Sequence, residues 1–319
     1  MTRHAKFHPA GVIPAVLLPM TANLAIDEVA FRGHLRDVTS TPGLSAVTIN
    51  AHSTEAASCS LDEQQRIMDI TQDEIGAALP IVHGVYAEGS LEGARIARQA
   101  ADGGAAALLV FPPGPFTMGH RPAMVIEHFK RIADAAGDVP LIAFNYPLTI
   151  NQGYTTDMIV ALGEAVPTVR AIKDWCNNPV QHERNIRVLQ GLSKPITVLS
   201  THSAWLFSSL VLGCGGLLSG SGSVIAGLQA RLFAAVQRND LAEARRLHES
   251  IYPLAEVFYA SPAVDMHNRM KEALVLLGKL ECAAVRPPLV KIPPAEIARI
   301  RAALVSARLL DTHRRTAAE

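Results

Sequence analysis

The chain has 319 residues, 49% hydrophobic and 18% charged, which supports a large buried core and excludes a disordered chain. Lysine plus arginine equals aspartate plus glutamate at 29 each, so no net field gathers nucleic acid, and the expected partner is a small molecule. Cys59, Cys176, Cys214 and Cys282 are widely spaced and form no Cys-x-x-Cys pair, which argues against zinc and redox motifs and for reduced thiols in a cytoplasm.

The opening MTRHAKFHPAGVIPAVLLPM places basic residues before an apolar run, as a secretory signal does. Pro14 and Pro19 interrupt that run and no small-x-small cleavage site follows, so it reads as a strand. No stretch reaches the roughly 18 apolar residues of a membrane helix, so no membrane partner is expected. Strand-like runs then recur: GVIPAVLLP at Gly11, LSAVTIN at Leu44, PIVHGV at Pro80, AALLVFP at Ala106, PLIAFNYP at Pro140, VRAIKDW at Val169, ITVLSTH at Ile196 and GGLLSGSG at Gly215. Helical signals lie between them. Phe31, Leu35 and Val38 share a face, and Ser60 with Glu63 makes a capping box before Ile67 and Ile70.

Near-continuous apolar strands alternating with helices pair in parallel with both faces covered. Eight such units predict an α/β fold, a (β/α)8 TIM barrel of roughly 250 residues. After Val224 no strand signal remains. Helices are expected from about Leu241, Asp265 and Pro294, giving a catalytic barrel over 1–235 and a C-terminal helical extension over 236–319 packed on it.

A barrel gathers the C-terminal ends of its strands around one mouth. Asn50 to Thr54, Asn145 and Tyr146, Lys173 and Asp174, Thr201 to Ser203, and Ser219, Ser221 and Ser223 would therefore converge. Lys173 is the anomaly, a lysine in a run that reads as a buried strand. Pointing inward, its amine would be partly desolvated, its pKa lowered and its neutral form ready to attack a carbonyl carbon. Alternation sends Asp174 the other way, toward a helix, and Trp175 reads as core.

Lys173 in IKDW, Asn145 and Pro147 in FNYP, Glu55 in AHSTE, the opening GVIPAVLLPM and the ending RPPLVKIPPAEIARIRAAL together resemble the dihydrodipicolinate synthase and N-acetylneuraminate lyase family, along the whole chain. The resemblance implies a homo-oligomer, tetramer or dimer, in which Lys173 forms a Schiff base with a 2-oxo acid such as pyruvate, with no metal and no organic cofactor. The implied reactions are those of a lyase: release of pyruvate from an aldol, or dehydration of a 2-oxo-3-deoxy sugar acid.

The departures from that family are specific. Its Gly-Thr/Ser-Thr-Gly-Glu segment is here Ala51, His52, Ser53, Thr54, Glu55, and its proton-shuttling tyrosine falls on Phe144. A second tyrosine falls near Pro113 and Gly114, and the synthase's aldehyde-gripping arginine near Thr149. These losses argue against dihydrodipicolinate synthase itself. Proton transfer passes to His52, with Tyr146 alternating onto the face of Phe144. His52 and His202 have an equal reading as structural or pocket-lining groups, and Asn145 as a turn-fixing residue. Ser53, Thr54, Asn145, His202, Ser219 and Ser221 are the candidate substrate-binding residues. The glycines around the eighth strand fit either close approach to a ligand or a tight barrel corner. Two other functions remain open: a binding or regulatory barrel without turnover, and a metal-dependent hydrolase using His52, His83 and His202, which lacks a His-x-His pair and a carboxylate cluster.

Overall fold

The computed structural model describes residues 7–311. The basic residues 1–6 and the outer limits of the expected ranges 1–235 and 236–319 lie outside the described residues. The eight expected strands are present as β1 (Gly11–Pro14), β2 (Val47–Ile49), β3 (Ile81–Val85), β4 (Ala107–Val110), β5 (Leu141–Asn145), β6 (Val169–Asp174), β7 (Thr197–Ser200) and β8 (Gly216–Ser219). Each is followed by a helix: α1 (Glu28–Thr39), α2 (Leu61–Ile75), α3 (Ser90–Asp102), α4 (Pro122–Ala136), α5 (Thr156–Ala165), α6 (Pro179–Leu189), α7 (Leu206–Val211) and α8 (Gly222–Gln237). The C-terminal helices are α9 (Leu241–Phe258), α10 (Met266–Leu276) and α11 (Pro294–Ser306).

All neighbouring strands are parallel, in the order β1-β8-β7-β6-β5-β4-β3-β2. Single parallel bridges, Val12 to Leu44 and Ala15 to Thr48, close the last seam into a (β/α)8 barrel. At the β1–β8 seam a Cβ on Gly216 would lie 2.1 Å from the Gly11 carbonyl oxygen, so only glycine fits there. Local capping agrees with the plan. Ser60 and Glu63 form the reciprocal box that starts α2, and Asn178 caps α6 through the Gln181 N–H.

Strand alternation divides the apolar side chains into two cores. Ile13, Val82, Leu109, Ile142, Phe144, Ala171, Leu199 and Leu218 fill the barrel. Val12, Val47, Leu108, Ile172, Val198 and Leu217 face the helices with Phe31, Leu35 and Phe129. Lys173 is in register with Phe144 on one side and Leu199 on the other, both barrel-interior residues, and so points inward. Asp174, one residue on, points outward.

The C-terminal helices are tied to the barrel mouth and to each other by ion pairs. Lys271 on α10, fully buried, bonds the carboxylate of Glu55, which also accepts the Arg286 N–H. Arg269 pairs with Glu296 at 2.7 Å and donates to the Ala260 carbonyl. Glu55, part of the family-like segment, thus serves as an anchor for α10.

Candidate active site

Lys173 stands at the C-terminal end of β6, 6% exposed, on the wall of a cavity of about 510 Å³. Among the described residues its Nζ has no hydrogen bond and no ion pair. It lies 4.0 Å from the centre of the Phe144 ring. Burial draws the amine down from the ordinary lysine value to about 7. The ring face favours the ammonium by about 0.5–2 kcal/mol, which is smaller than the cost of burying an unpaired charge. A large fraction of the amine is therefore neutral at neutral pH, and it opens onto the cavity.

His52 and Ser53 line the same cavity from the β2–α2 loop. Burial first, and the neighbouring Lys173 second, lower the His52 pKa to about 3, so the ring is neutral. Its Nε2 lies 3.1 Å from the Tyr146 hydroxyl. Tyr146 is 7% exposed and its ring stacks obliquely on Phe144 at 4.4 Å between centres. Burial raises its phenol pKa well above the ordinary value. Tyr146 therefore meets the cavity through its contact with His52, beside Lys173.

The loop carrying Ser53 has left-handed backbone at Asn50 and Glu55, with φ of 50° and 52°. Among the described residues no acceptor meets the Ser53 and Thr54 N–H groups or the Ser53 hydroxyl. Ser53, which lines the cavity, thus offers an N–H and a hydroxyl that suit a carboxylate without glycines. The Thr54 hydroxyl is occupied by the loop, accepting the Ala51 N–H at 2.7 Å.

The remaining expected residues are placed differently. Asn145 donates to Asp174 at 3.0 Å and accepts the Tyr154 N–H at 2.8 Å, so its amide is spent on the turn. Ser219 and Ser221 bond each other at 2.9 Å and both accept from Gln229 Nε2. They form a hydroxyl cluster behind the wall, linked to the cavity lining through Ser203 and through the Ser221 N–H bond to the Tyr259 hydroxyl. His202 lines the cavity with its ring stacked on Trp205 at 3.9 Å. His83 is bonded at both nitrogens, to Asn50 and to the Gly84 carbonyl, and does not line the cavity with His52 and His202. The triad a metal-dependent hydrolase would need does not assemble. Trp175, read from sequence as core, is half-buried on the cavity wall, edge-on to Tyr146.

Sequence reasoning missed the contribution of the C-terminal helices. Tyr259, Met266 and His267 cover the cavity, and His267 sits 6.4 Å ring to ring from His52. Burial, with His52 and Lys173 nearby, holds the His267 pKa well below the ordinary value. Arg299 of α11 brings a guanidinium to the rim. Bare glycine at position 220 leaves room here, since a Cβ would approach His267 Nε2 to 3.3 Å.

An unpaired lysine at the strand ends of a (β/α)8 barrel defines a carbonyl-condensing enzyme of the class I type. Comparison with known proteins agrees. The model of the dihydrodipicolinate synthetase family matches residues 8–307. The chain belongs to that family, whose members are Schiff-base-forming lyases. It is 23% identical over 94% of its length to YagE of Escherichia coli K12, named provisionally as a 2-dehydro-3-deoxy-D-gluconate aldolase, covering 97% of that protein. It is 29% identical to the 4-hydroxy-tetrahydrodipicolinate synthase of Salinibacter ruber over 93% of this chain and 94% of that one. The crystal structure of YagE in complex with pyruvate superposes with a TM-score of 0.87 at 22% identity, covering 94% of this chain and 99% of that one.

Proposed function

We propose that the protein is a class I lyase in which Lys173 condenses with a 2-oxo acid, and that its reaction is release of pyruvate from a 4-hydroxy-2-oxo acid. The observation that carries this reading is the buried, unpaired amine opening onto the cavity at the barrel mouth. The neutral Nζ adds to the C2 carbonyl, and loss of water leaves an iminium. The C3–C4 bond then breaks with its electron pair drawn into the iminium, while the C4 hydroxyl gives up its proton and departs as an aldehyde. Protonation of the enamine at C3 and hydrolysis of the iminium return pyruvate and the free amine. The Ser53 and Thr54 N–H groups with the Ser53 hydroxyl hold the carboxylate, and Arg299 attracts the anion to the rim.

The His52–Tyr146 pair takes the place of the hydroxyl absent at Phe144. With its pKa near 3, His52 is a weak base alone, but a neutral imidazole accepts a proton at one nitrogen while releasing one from the other, so the pair relays without storing charge. Dehydration of a 2-oxo-3-deoxy sugar acid starts from the same iminium and is the second reading. All four cysteines are unpaired, in keeping with a cytoplasmic protein. Among the described residues no helix is long and apolar enough to cross a membrane. Association into a dimer or tetramer is favoured by the exposed apolar side chains Met118, Leu148 and Ile150, whose segments are joined by the Asn151–Thr117 hydrogen bond.

The test is borohydride reduction in the presence of pyruvate, followed by peptide mass spectrometry. An adduct on Lys173 together with aldol turnover is expected. An adduct without turnover would turn the reading into a binding barrel, and no adduct would end it.

A further inference from the structure

Behind β6 on its outward side, and meeting the cavity wall only at His202, lies a second cluster to which the proposed lyase chemistry assigns no step. Asp174 closes β6, Cys176 follows in the loop, His182 sits in the first turns of α6, and His202 follows β7. All four are buried, and one donor atom from each lies within 4.8 Å of every other. No other group of histidine, cysteine and carboxylate donors among the described residues is so gathered.

Hydrogen bonding accounts for only part of this arrangement. The Asp174 carboxylate is satisfied, accepting from Asn145, the Cys176 N–H, His182 Nδ1 at 2.8 Å and Asn185. The imidazoles are not. Nε2 of His182, fully buried, and Nε2 of His202, on a residue 4% exposed, meet no partner. Two orphaned ring nitrogens in one buried cluster are costly to keep unless something binds them.

We propose that Asp174, Cys176, His182 and His202 form a binding site for a borderline-soft divalent transition cation, with zinc the fitting ion. Two imidazole nitrogens, a thiolate sulfur and a carboxylate oxygen are a four-donor zinc set, and the sulfur disfavours magnesium and calcium. In a tetrahedral site the donors stand about 3.5 Å apart, so closure requires inward movements of about an ångström. Binding expels the Cys176 proton, and the thiolate and carboxylate then balance the two charges of the ion in the dry interior. The cation would pin the ends of β6 and β7 to α6, fixing the wall that carries Lys173 and His202. It acts as a structural tie, since Lys173 points to the other side of the strand.

The test uses the full chain, stripped with a chelator, titrated with Zn2+ or Co2+ and desalted. One ion per chain by elemental analysis, a thiolate-to-cobalt charge-transfer band and a higher melting temperature with Zn2+ are expected. Cys176→Ser should abolish the band, and His202→Gln should weaken Zn2+ binding by about 100-fold. Cys282→Ser, which removes an exposed thiol, should leave both unchanged. Should Cys176→Ser fail to fold, His202→Gln, altered at the cavity wall, decides alone. The proposal is overturned if the wild-type chain retains no ion, if His202→Gln and Cys176→Ser bind as tightly as wild type, or if Cys282→Ser removes the band. Borohydride trapping at Lys173 in the stripped protein reads the lyase chemistry separately.

Discussion

Lys173 and Asp174 are consecutive residues of one strand in opposite chemical circumstances. Asp174 is fully buried on the helix side and engaged by four donors. Burial pushes its carboxyl up, but the hydrogen bonds from His182 and Asn185 outweigh that and hold it below the ordinary value. Lys173, equally enclosed on the barrel side, has no ionic or hydrogen-bonding partner among the described residues and is driven toward its neutral form. A single step of strand alternation separates a satisfied ion that holds the fold from a deprived amine that is reactive. The comparison suggests how a barrel stores reactivity: the polar bonds available at that level of the sheet are spent on one face only.

Breaking the inward half should have the largest effect. Lys173→Met keeps the volume and removes the amine, so turnover should fall by at least about 10³-fold and the borohydride adduct should vanish. Its denaturant midpoint should hold or rise, because a costly buried group is gone. Breaking the outward half should do the reverse in kind. Asp174→Ala leaves the amides of Asn145 and Asn185 and the His182 ring without their acceptor, and should cost about 3–5 kcal/mol of stability in urea unfolding. If Lys173→Met destabilises the protein as much as Asp174→Ala does, the division between the two faces is wrong.

Much of this was legible beforehand because it rests on local chemistry. Near-continuous apolar runs such as ALLV and LIAFN give buried parallel strands, and a lysine inside one of them marks itself. The opposite pointing of Asp174 follows from the period of a strand. What stayed hidden depends on pairing across long separations. MHNRMKEALVL is rich in polar residues, yet His267, Asn268, Arg269, Lys271 and Glu272 are all buried there, where Arg269 meets Glu296 and Lys271 meets Glu55. Nothing in the helical period of α10 discloses those partners, so its contribution of Met266 and His267 to the cavity could not be read. In the β2–α2 loop, too, the chain alone does not say that Thr54 turns back on its own backbone while Ser53 opens to the cavity.

The relay proposed for His52 and Tyr146 offers a sharper division. His52→Ala should lower kcat by about 100-fold, since it removes both the imidazole and the path to Tyr146. Tyr146→Phe removes one hydrogen bond at the far end of that path and should lower kcat by about tenfold. Because the phenol acts through the ring, the double variant should lose no more than His52→Ala alone. Additive losses in kcat would mean that Tyr146 touches substrate independently and that the pair is no relay.

The smallest effect is the most diagnostic of burial. With the Lys173 pKa at about 7, the neutral fraction should rise about fivefold between pH 6 and pH 7, and the rate of adduct formation with it, before levelling above neutrality. An amine at the ordinary value of 10.5 would give a rate still climbing through pH 9. His52, near 3, adds no limb over this range. Stability must move with the same group. Between about 7 and 10.5 the unfolded chain holds a proton on Lys173 that the folded chain has lost, so the contribution of this group to stability rises with pH through that window, against the opposite contribution of Cys59, Cys176 and Cys214, whose thiols burial pushes up. Lys173→Met should remove the rising contribution of this one group while Asp174→Ala keeps it, so the difference in pH slope of the denaturant midpoint between each variant and wild type tests, without any substrate, which of the two neighbouring groups is the uncompensated one.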